Sequence, residues 1–287
     1  MRKIVLSCIA SIVGCMLFAQ PLTVGVFVGL SNYQGDLVDK LFTPQSTKAA
    51  AGVTATYEIA EHWSLRGGLL FTKLTGNDKY NPKTYLQARN LNFTTSITEL
   101  STTAEYATFN LDDKRWTPYL FAGVALFHFN PYTFDDVNTK VFLKPLSTEG
   151  EGLTAYPQSR PYARTQLALP FGGGFRFAVT DNVRIGLELG IRKLFTDHLD
   201  DVSGNYADAA DLLRERGSLA VAYAYRGDEV AGGSLAYPQK GAQRGGVTQK
   251  DLYYLTGLTI SFRLPSNSYS GASPGRRKGY GCPASPL

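Results

Sequence analysis

From Leu22 to Leu264 the chain repeatedly alternates apolar residues with polar or small ones, a period of two that belongs to strands whose faces meet different surroundings. In the clearest run, Leu167, Leu169, Phe171, Phe175 and Phe177 share one parity; Gln166, Ala168, Gly172, Gly174 and Arg176 share the other. After Thr180-Asp181-Asn182, Val183, Ile185, Leu187, Leu189 and Ile191 alternate with Arg184, Gly186, Glu188, Gly190 and Arg192. The short Asp-Asn link predicts a hairpin. An earlier hairpin sets Ala51, Val53, Ala55 and Tyr57 against Gly52, Thr54, Thr56 and Glu58, and turns at Ala60-Glu61-His62. It returns with Trp63, Leu65, Leu69 and Phe71 against Ser64, Arg66, Gly68 and Thr72. A first strand runs from about Leu22 to Tyr33 and a last one from Leu252 to Leu264. Two less regular strands lie near 91–109 and 116–129, the second apolar on both faces. Pro170 followed by Gly172-Gly173-Gly174 predicts a bulge or bend inside its strand.

These segments make eight strands. Their connections alternate between short (60–62, 110–115, 180–182) and long (34–46, 76–90, 130–160, 195–250). Tight turns at one end, long loops at the other and an even strand number describe a transmembrane barrel. Tyr57 and Trp63 flank one short turn and Tyr106 and Trp116 another, where such a barrel carries aromatic girdles. The expected fold is therefore all-β: an eight-stranded antiparallel up-and-down transmembrane β-barrel with long outer loops. Residues 206–226 read as a short helix in the longest loop. The competing reading is a soluble lipocalin-like or sandwich protein, in which the apolar parity faces a core. The charged parity separates the two. If the apolar face meets lipid, Arg66, Arg176, Arg184, Arg192 and Arg263 share a lumen with Glu58, Glu99, Glu105 and Glu188, a near-neutral set. Eight strands enclose an interior that side chains fill, so an open diffusion pore is not expected.

The amino terminus adds a compartment. Met1-Arg2-Lys3, the apolar stretch Ile4 to Phe18, and Ala19-Gln20-Pro21 follow the order of a secretory signal, with cleavage expected after Ala19. Ile12-Val13-Gly14-Cys15 resembles a lipobox, although Met16-Leu17-Phe18 continue the apolar run where a polar tether would stand. The expected organisation is a signal peptide (1–19), an outer-membrane barrel (20–264) with both ends periplasmic and lipids as its surroundings, and a flexible basic periplasmic tail (265–287).

Composition narrows the rest. Charged residues are 18% of the chain and aromatics 12%, too little charge and too many rings for disorder. Loss of Arg2 and Lys3 with the signal lowers the net charge from +5 to +3, and Arg276, Arg277 and Lys278 of the tail carry that remainder. The body is thus near neutral, with no basic face for nucleic acid. Cys8 and Cys15 leave with the signal, so Cys282 is the one cysteine of the processed chain. Beside the basic tail residues it is a candidate for an intermolecular disulfide, set against a spectator thiol.

Candidate chemistry is sparse. His62 falls in a short turn, His128 near a strand end, and His198 within Thr196-Asp197-His198-Leu199-Asp200-Asp201. An acid–histidine pair on an outer rim is a hydrolase candidate, set against a polar loop start whose carboxylates cap a turn. No second histidine stands at ligand spacing, so the sequence assigns no metal, no cofactor and no catalytic residue.

Gly25-Val26-Phe27-Val28-Gly29-Leu30-Ser31-Asn32-Tyr33-Gln34-Gly35-Asp36-Leu37 and Pro118-Tyr119-Leu120-Phe121-Ala122-Gly123-Val124-Ala125-Leu126-Phe127-His128-Phe129-Asn130-Pro131 resemble segments of the PorG-type outer-membrane barrels of the type IX secretion system. So do Pro145-Leu146-Ser147-Thr148-Glu149-Gly150, Phe195-Thr196-Asp197-His198-Leu199-Asp200-Asp201-Val202-Ser203 and Gln243-Arg244-Gly245. The last strand is similar to the carboxy-terminal signal for barrel insertion. This resemblance implies a non-enzymatic scaffold of a protein secretion machine. It further implies partners in a periplasmic ring, built from a lipoprotein and its partner protein, which the barrel links to the outer membrane. It also makes Asp197-His198 part of a loop motif. The alternatives are a small structural or adhesive eight-stranded barrel and, further off, a rim hydrolase.

Overall fold

The computed structural model describes residues 22–40, 43–246 and 250–265. The expected signal segment, and all of the tail beyond Pro265 including Cys282, lie outside the described residues.

Ten strands form one sheet: β1 (Leu22–Gln34), β2 (Lys48–Glu58), β3 (Trp63–Asn77), β4 (Asn92–Ala107), β5 (Trp116–His128), β6 (Pro131–Phe134), β7 (Lys140–Phe142), β8 (Thr165–Ala178), β9 (Val183–Leu194) and β10 (Leu252–Arg263). Eight of them close a ring, each antiparallel to its neighbours. The order is β1-β2-β3-β4-β5-β8-β9-β10, and β10 pairs back to β1 from Thr23↔Arg263 to Gln34↔Leu252. The expected eight-stranded barrel is the fold. β6 and β7 are a hairpin outside the ring, in the loop after β5.

The apolar parity faces outward. Val28, Leu120 and Leu258 are 64%, 67% and 63% exposed, and they lie within a belt of exposed aliphatic and aromatic residues on all eight strands. A protein in water rarely shows a contiguous apolar patch beyond a few hundred Å². This belt is therefore a lipid-facing wall, and the chain is a transmembrane barrel of the outer-membrane type. At the short-turn end Trp63 packs on Tyr106 (ring centroids 5.1 Å apart) and Trp116 stacks on Phe175 (5.5 Å), forming the expected girdle. At the other end exposed Lys73, Ser96, His128 and Lys193 close the belt. Among the described residues no helix is long and apolar enough to cross a membrane.

The bulge expected at Pro170 does not form. Ala122 pairs with Phe171 and Ala125 with Ala168, so the β5–β8 register is the same on both sides of Pro170, and β8 pairs with β9 without a shift. Pairing to β5 lapses only opposite Gly123 and Val124, where Pro170 has no N–H to donate. The neighbouring glycines serve another purpose. A Cβ at Gly172 would lie 2.9 Å from Phe121 Cζ, and one at Gly174 would lie 2.6 Å from Tyr119 Oη. Their hydrogens make room for the β9 backbone, whose Leu189 and Leu187 carbonyls would lie within 2.5 Å of those Cβ atoms, as well as for inward-pointing rings.

The long loops fold into a cap. It contains the β6–β7 hairpin and three helices: α1 (Thr84–Arg89), α2 (Ala209–Arg216) and α3 (Ser218–Ala224). The single helix expected over 206–226 is two. Asp208 caps α2 by accepting from the Ala210 and Asp211 amides, and Gly217 at φ +85° ends it, a backbone state that costs glycine least. One apolar core runs without interruption from Leu74, Phe127 and Tyr253 in the upper lumen to Leu146, Leu153 and Leu212 in the cap.

Candidate functional site

Among the described residues, buried polar groups gather in two places, the lumen and the junction where the cap meets the barrel. The lumen network follows from strand parity, which turns alternate residues of all eight strands toward a common axis. Arg66 on β3 meets Glu105 on β4 at 2.9 Å and Glu188 on β9 at 2.5 Å. Arg176 on β8 reaches Glu105 at 3.1 Å, and the Tyr119 hydroxyl donates to Glu188 at 2.7 Å. Higher up, Arg192 pairs with Glu99 at 3.3 Å, and Glu99 also accepts from Tyr253. Arg184 pairs with Glu58 at 3.1 Å near the short-turn mouth, where Arg263 bridges Glu58 and Asp112. Arg66, Arg176, Glu105 and Glu188 thus form one connected group, whereas Arg192–Glu99 and Arg184–Glu58 stand apart. Between them, the mid-lumen void among Phe27, Arg66, Glu99, Glu188 and Arg192 is about 40 Å³, room for roughly one water. Side chains seal this barrel.

The cap network was not legible as a site, because its members come from five separate segments. Glu149 accepts from the Ser203 and Gly204 amides at 2.9 and 2.8 Å and from Arg244 Nη1 at 3.0 Å. Asp201 accepts from Thr148 Oγ1 and the Tyr162 hydroxyl, both at 2.7 Å. Arg244 is 3% exposed and also donates to the Asp201 and Ala224 carbonyls, while Arg89 donates to the carbonyl of Arg244. Arg89 in turn holds Asp78 through two bonds of 2.7 Å. Asp201 (φ +65°) and Ser147 (φ +53°) are non-glycine residues in the left-handed region at this junction, a conformation kept only where surrounding bonds fix it.

Carboxyls here outnumber the cations that reach them. Tyr33 Oη lies 2.6 Å from Asp200 and 2.8 Å from Asp251, yet a tyrosine has one hydrogen to donate. One of the two contacts therefore needs a protonated carboxyl. Burial, followed by repulsion from the neighbouring acids, raises both aspartates well above the usual carboxylate range. Asp36, which accepts from the Gly246 amide, is pushed up to about 7, chiefly by burial and then by Asp197 and Glu149. Glu151 is pushed up to about 8 by burial, then by Asp201 and Glu149. Burial lowers the His198 imidazole, which stacks on Tyr162 with ring centroids 4.8 Å apart.

Asp197 does not form an acid–histidine pair with His198. Its carboxylate accepts from Ser203 Oγ at 2.9 Å instead, and His198 Nδ1 has no hydrogen-bond partner among the described residues. The residues that sequence reasoning passed over are Glu149, Glu151, Asp251, Arg89 and Arg244. A signal did exist for two of them: Glu149 and Arg244 sit inside segments already singled out for their resemblance, but nothing in one dimension says that those segments touch.

The family described as Domain of unknown function (DUF6089) matches residues 2–147, half of the chain. The chain belongs to the DUF6089 family. The matched span covers β1 to β7 and ends at Ser147, inside the segment that enters the cap network. No curated protein matches the chain. Among solved structures, Neisserial surface protein A matches over 85% of this DUF6089 chain and 97% of its own, at 11% identity and a TM-score of 0.42. Ail, the attachment invasion locus protein of Yersinia pestis, solved in complex with the heparin analogue sucrose octasulfate, covers 86% of this chain and 99% of its own at 8% identity, with a TM-score of 0.41. OprG from Pseudomonas aeruginosa covers 86% and 98% at 10% identity, with a TM-score of 0.41. The barrel assignment rests on its own closed pairing.

Proposed function

We propose that this barrel is a non-enzymatic outer-membrane scaffold of a type IX-like protein secretion machine, joined at its periplasmic end to a ring of a lipoprotein and its partner. The supporting observation is that three segments carrying the PorG-type resemblance, 145–150, 195–203 and 243–245, meet in one buried network through Glu149, Ser203 and Arg244. Residues that resemble a family and also hold one another in place are the marks of a shared folded feature rather than of shared composition. The sealed lumen adds to this, since it leaves the two rims to do the work. In this reading the short-turn end faces the periplasm. Its mouth, a cavity of about 300 Å³ among Glu58, His62, Trp63, Arg176, Arg184 and Arg263, is the docking end.

Deletion of the gene is expected to leave secreted cargo in the periplasm, and the full-length barrel purified from gently solubilised outer membranes is expected to bring ring proteins with it. Normal secretion together with an absence of copurifying ring proteins would reject the scaffold role. One observation favours a second reading, a structural or adhesive barrel: the long loops form a folded cap whose core is continuous with the upper lumen. That reading expects replacement of the cap loops to change surface binding while secretion continues.

A further inference from the structure

We propose that Glu149, Glu151 and His198 bind one first-row divalent metal ion of the Zn²⁺ kind on the rim of the cap. One ligand atom from each residue lies within 4.8 Å of the others, as donors around a single ion must. Two carboxylates and an imidazole form a donor set that suits such an ion better than Ca²⁺ or Mg²⁺, which take oxygen ligands.

The trio is more than a cluster of acids. Glu151 is 4% exposed; its Oε2 accepts from the Glu149 amide at 3.2 Å, while its Oε1 is buried without a partner among the described residues. His198 Nδ1 is likewise buried and unpartnered. A buried polar atom without a partner costs free energy, so two of them beside a third ligand are best explained by a ligand that both can reach. All three side chains line an open cleft of about 500 Å³, which gives an ion a way in and leaves a coordination position to water or a bound group.

The outer supports are already in place. The Ser203 and Gly204 amides and Arg244 fix the Glu149 carboxylate, and stacking on Tyr162 fixes the plane of the His198 ring. Such second contacts orient metal ligands. Glu149 and Glu151 come from the loop between β7 and β8, and His198 comes from the loop after β9. The ion therefore ties two long loops together and stabilises the folded cap in proportion to its own concentration. The sequence pointed away from this site because it offers a single histidine there; the other ligands lie almost fifty positions earlier.

The test is calorimetric titration of Zn²⁺ into the full-length, tag-free, chelator-treated barrel in detergent, in a Cys282→Ser background. One ion per chain is expected. Glu151→Gln and His198→Asn should each weaken binding at least tenfold, while His62→Asn and His128→Asn leave it unchanged. Heat-modifiable gel migration reports whether each variant still folds. If a variant fails to fold, X-ray absorption on the Zn²⁺-loaded parent decides instead: one imidazole nitrogen with carboxylate oxygens is expected, and a shell without imidazole overturns the site. Absence of Zn²⁺ binding, undiminished binding in folded Glu151→Gln or His198→Asn, or tighter binding of Ca²⁺ than Zn²⁺ also overturns it.

Discussion

In the lumen each inward arginine meets a glutamate: Arg66 bridges Glu105 and Glu188, Arg176 joins them, Arg192 takes Glu99, and Arg184 and Arg263 share Glu58. The cap is different. Arg89 takes Asp78 and Arg244 takes Glu149, while Asp36, Glu151, Asp200 and Asp251 form no ion pair among the described residues. The surroundings explain the contrast. At membrane depth no bulk water can solvate a leftover charge, so the wall must neutralise itself residue by residue. The cap borders water on its clefts and can carry excess acid, either as protonated carboxyls or against a bound cation. A balanced network rigidifies a wall; an unbalanced one makes a region that responds to protons and metal ions.

The largest effect expected from this contrast follows from removing one arginine on each side. Arg66→Ala leaves Glu188 with no ion pair and Glu105 with Arg176 alone, a loss of about 3–5 kcal/mol. It should lower the urea midpoint of the whole barrel and reduce the folded, heat-modifiable band. Arg244→Ala should leave that band in place and instead expose the 195–246 segment to protease. Unfolding of Arg66→Ala at the wild-type urea midpoint would break the comparison.

A smaller effect is expected from pH. Asp36 holds its proton to about pH 7 in the folded cap, and Asp251 is raised well above the ordinary carboxylate range, in both cases chiefly by burial. Both pKa values lie above the ordinary carboxylate range. As pH rises through that range the unfolded cap loses these protons while the folded cap keeps them. Cap stability is therefore greatest in acid and declines as pH climbs, with the Asp36 share levelling off above about 7. Allowing for the partial exposure of Asp36, its share is about 1–2 kcal/mol. Hydrogen exchange corrected for intrinsic rates should show cap amides less protected at pH 8 than at pH 5.5. Equal protection at both values would remove the acid excess as a source of response.

The smallest effect sharpens the account of the wall. Arg192→Met, Glu99→Leu and Tyr253→Phe made together remove a whole paired group and its hydrogen-bonding hydroxyl, leaving nothing stranded. The expected change in unfolding free energy is about 1 kcal/mol or less, well below that of Arg192→Met alone. A triple variant as unstable as the single one would show that the lumen needs these charges for more than mutual neutralisation.

Much of the wall was legible because strand parity is a local property. Val183, Ile185 and Leu187 face lipid and Arg184, Gly186 and Glu188 face the lumen for the same reason that they alternate in the chain. Pro170 was read as the mark of a bulge or bend because a missing N–H and three nearby glycines usually signal one; the unshifted register shows no bulge, and Gly172 and Gly174 accommodate Phe121 and Tyr119 from the neighbouring strand. The helix over 206–226 was read as continuous because its composition is helical on both sides of Gly217. The cap network escaped altogether, since Tyr33, Glu149, His198, Arg244 and Asp251 have no common periodicity.

The sequence alone determined the number of crossings, the end that carries the long loops, and the face of each strand that meets lipid. These follow from a two-residue period and from where the chain turns, quantities set by neighbours along the backbone. Only the tertiary structure decided which glutamate each arginine meets, that the long loops share one core, and that Glu149, Glu151 and His198 converge. Contacts between residues tens to hundreds of positions apart depend on ring closure and loop packing, and no local pattern records them.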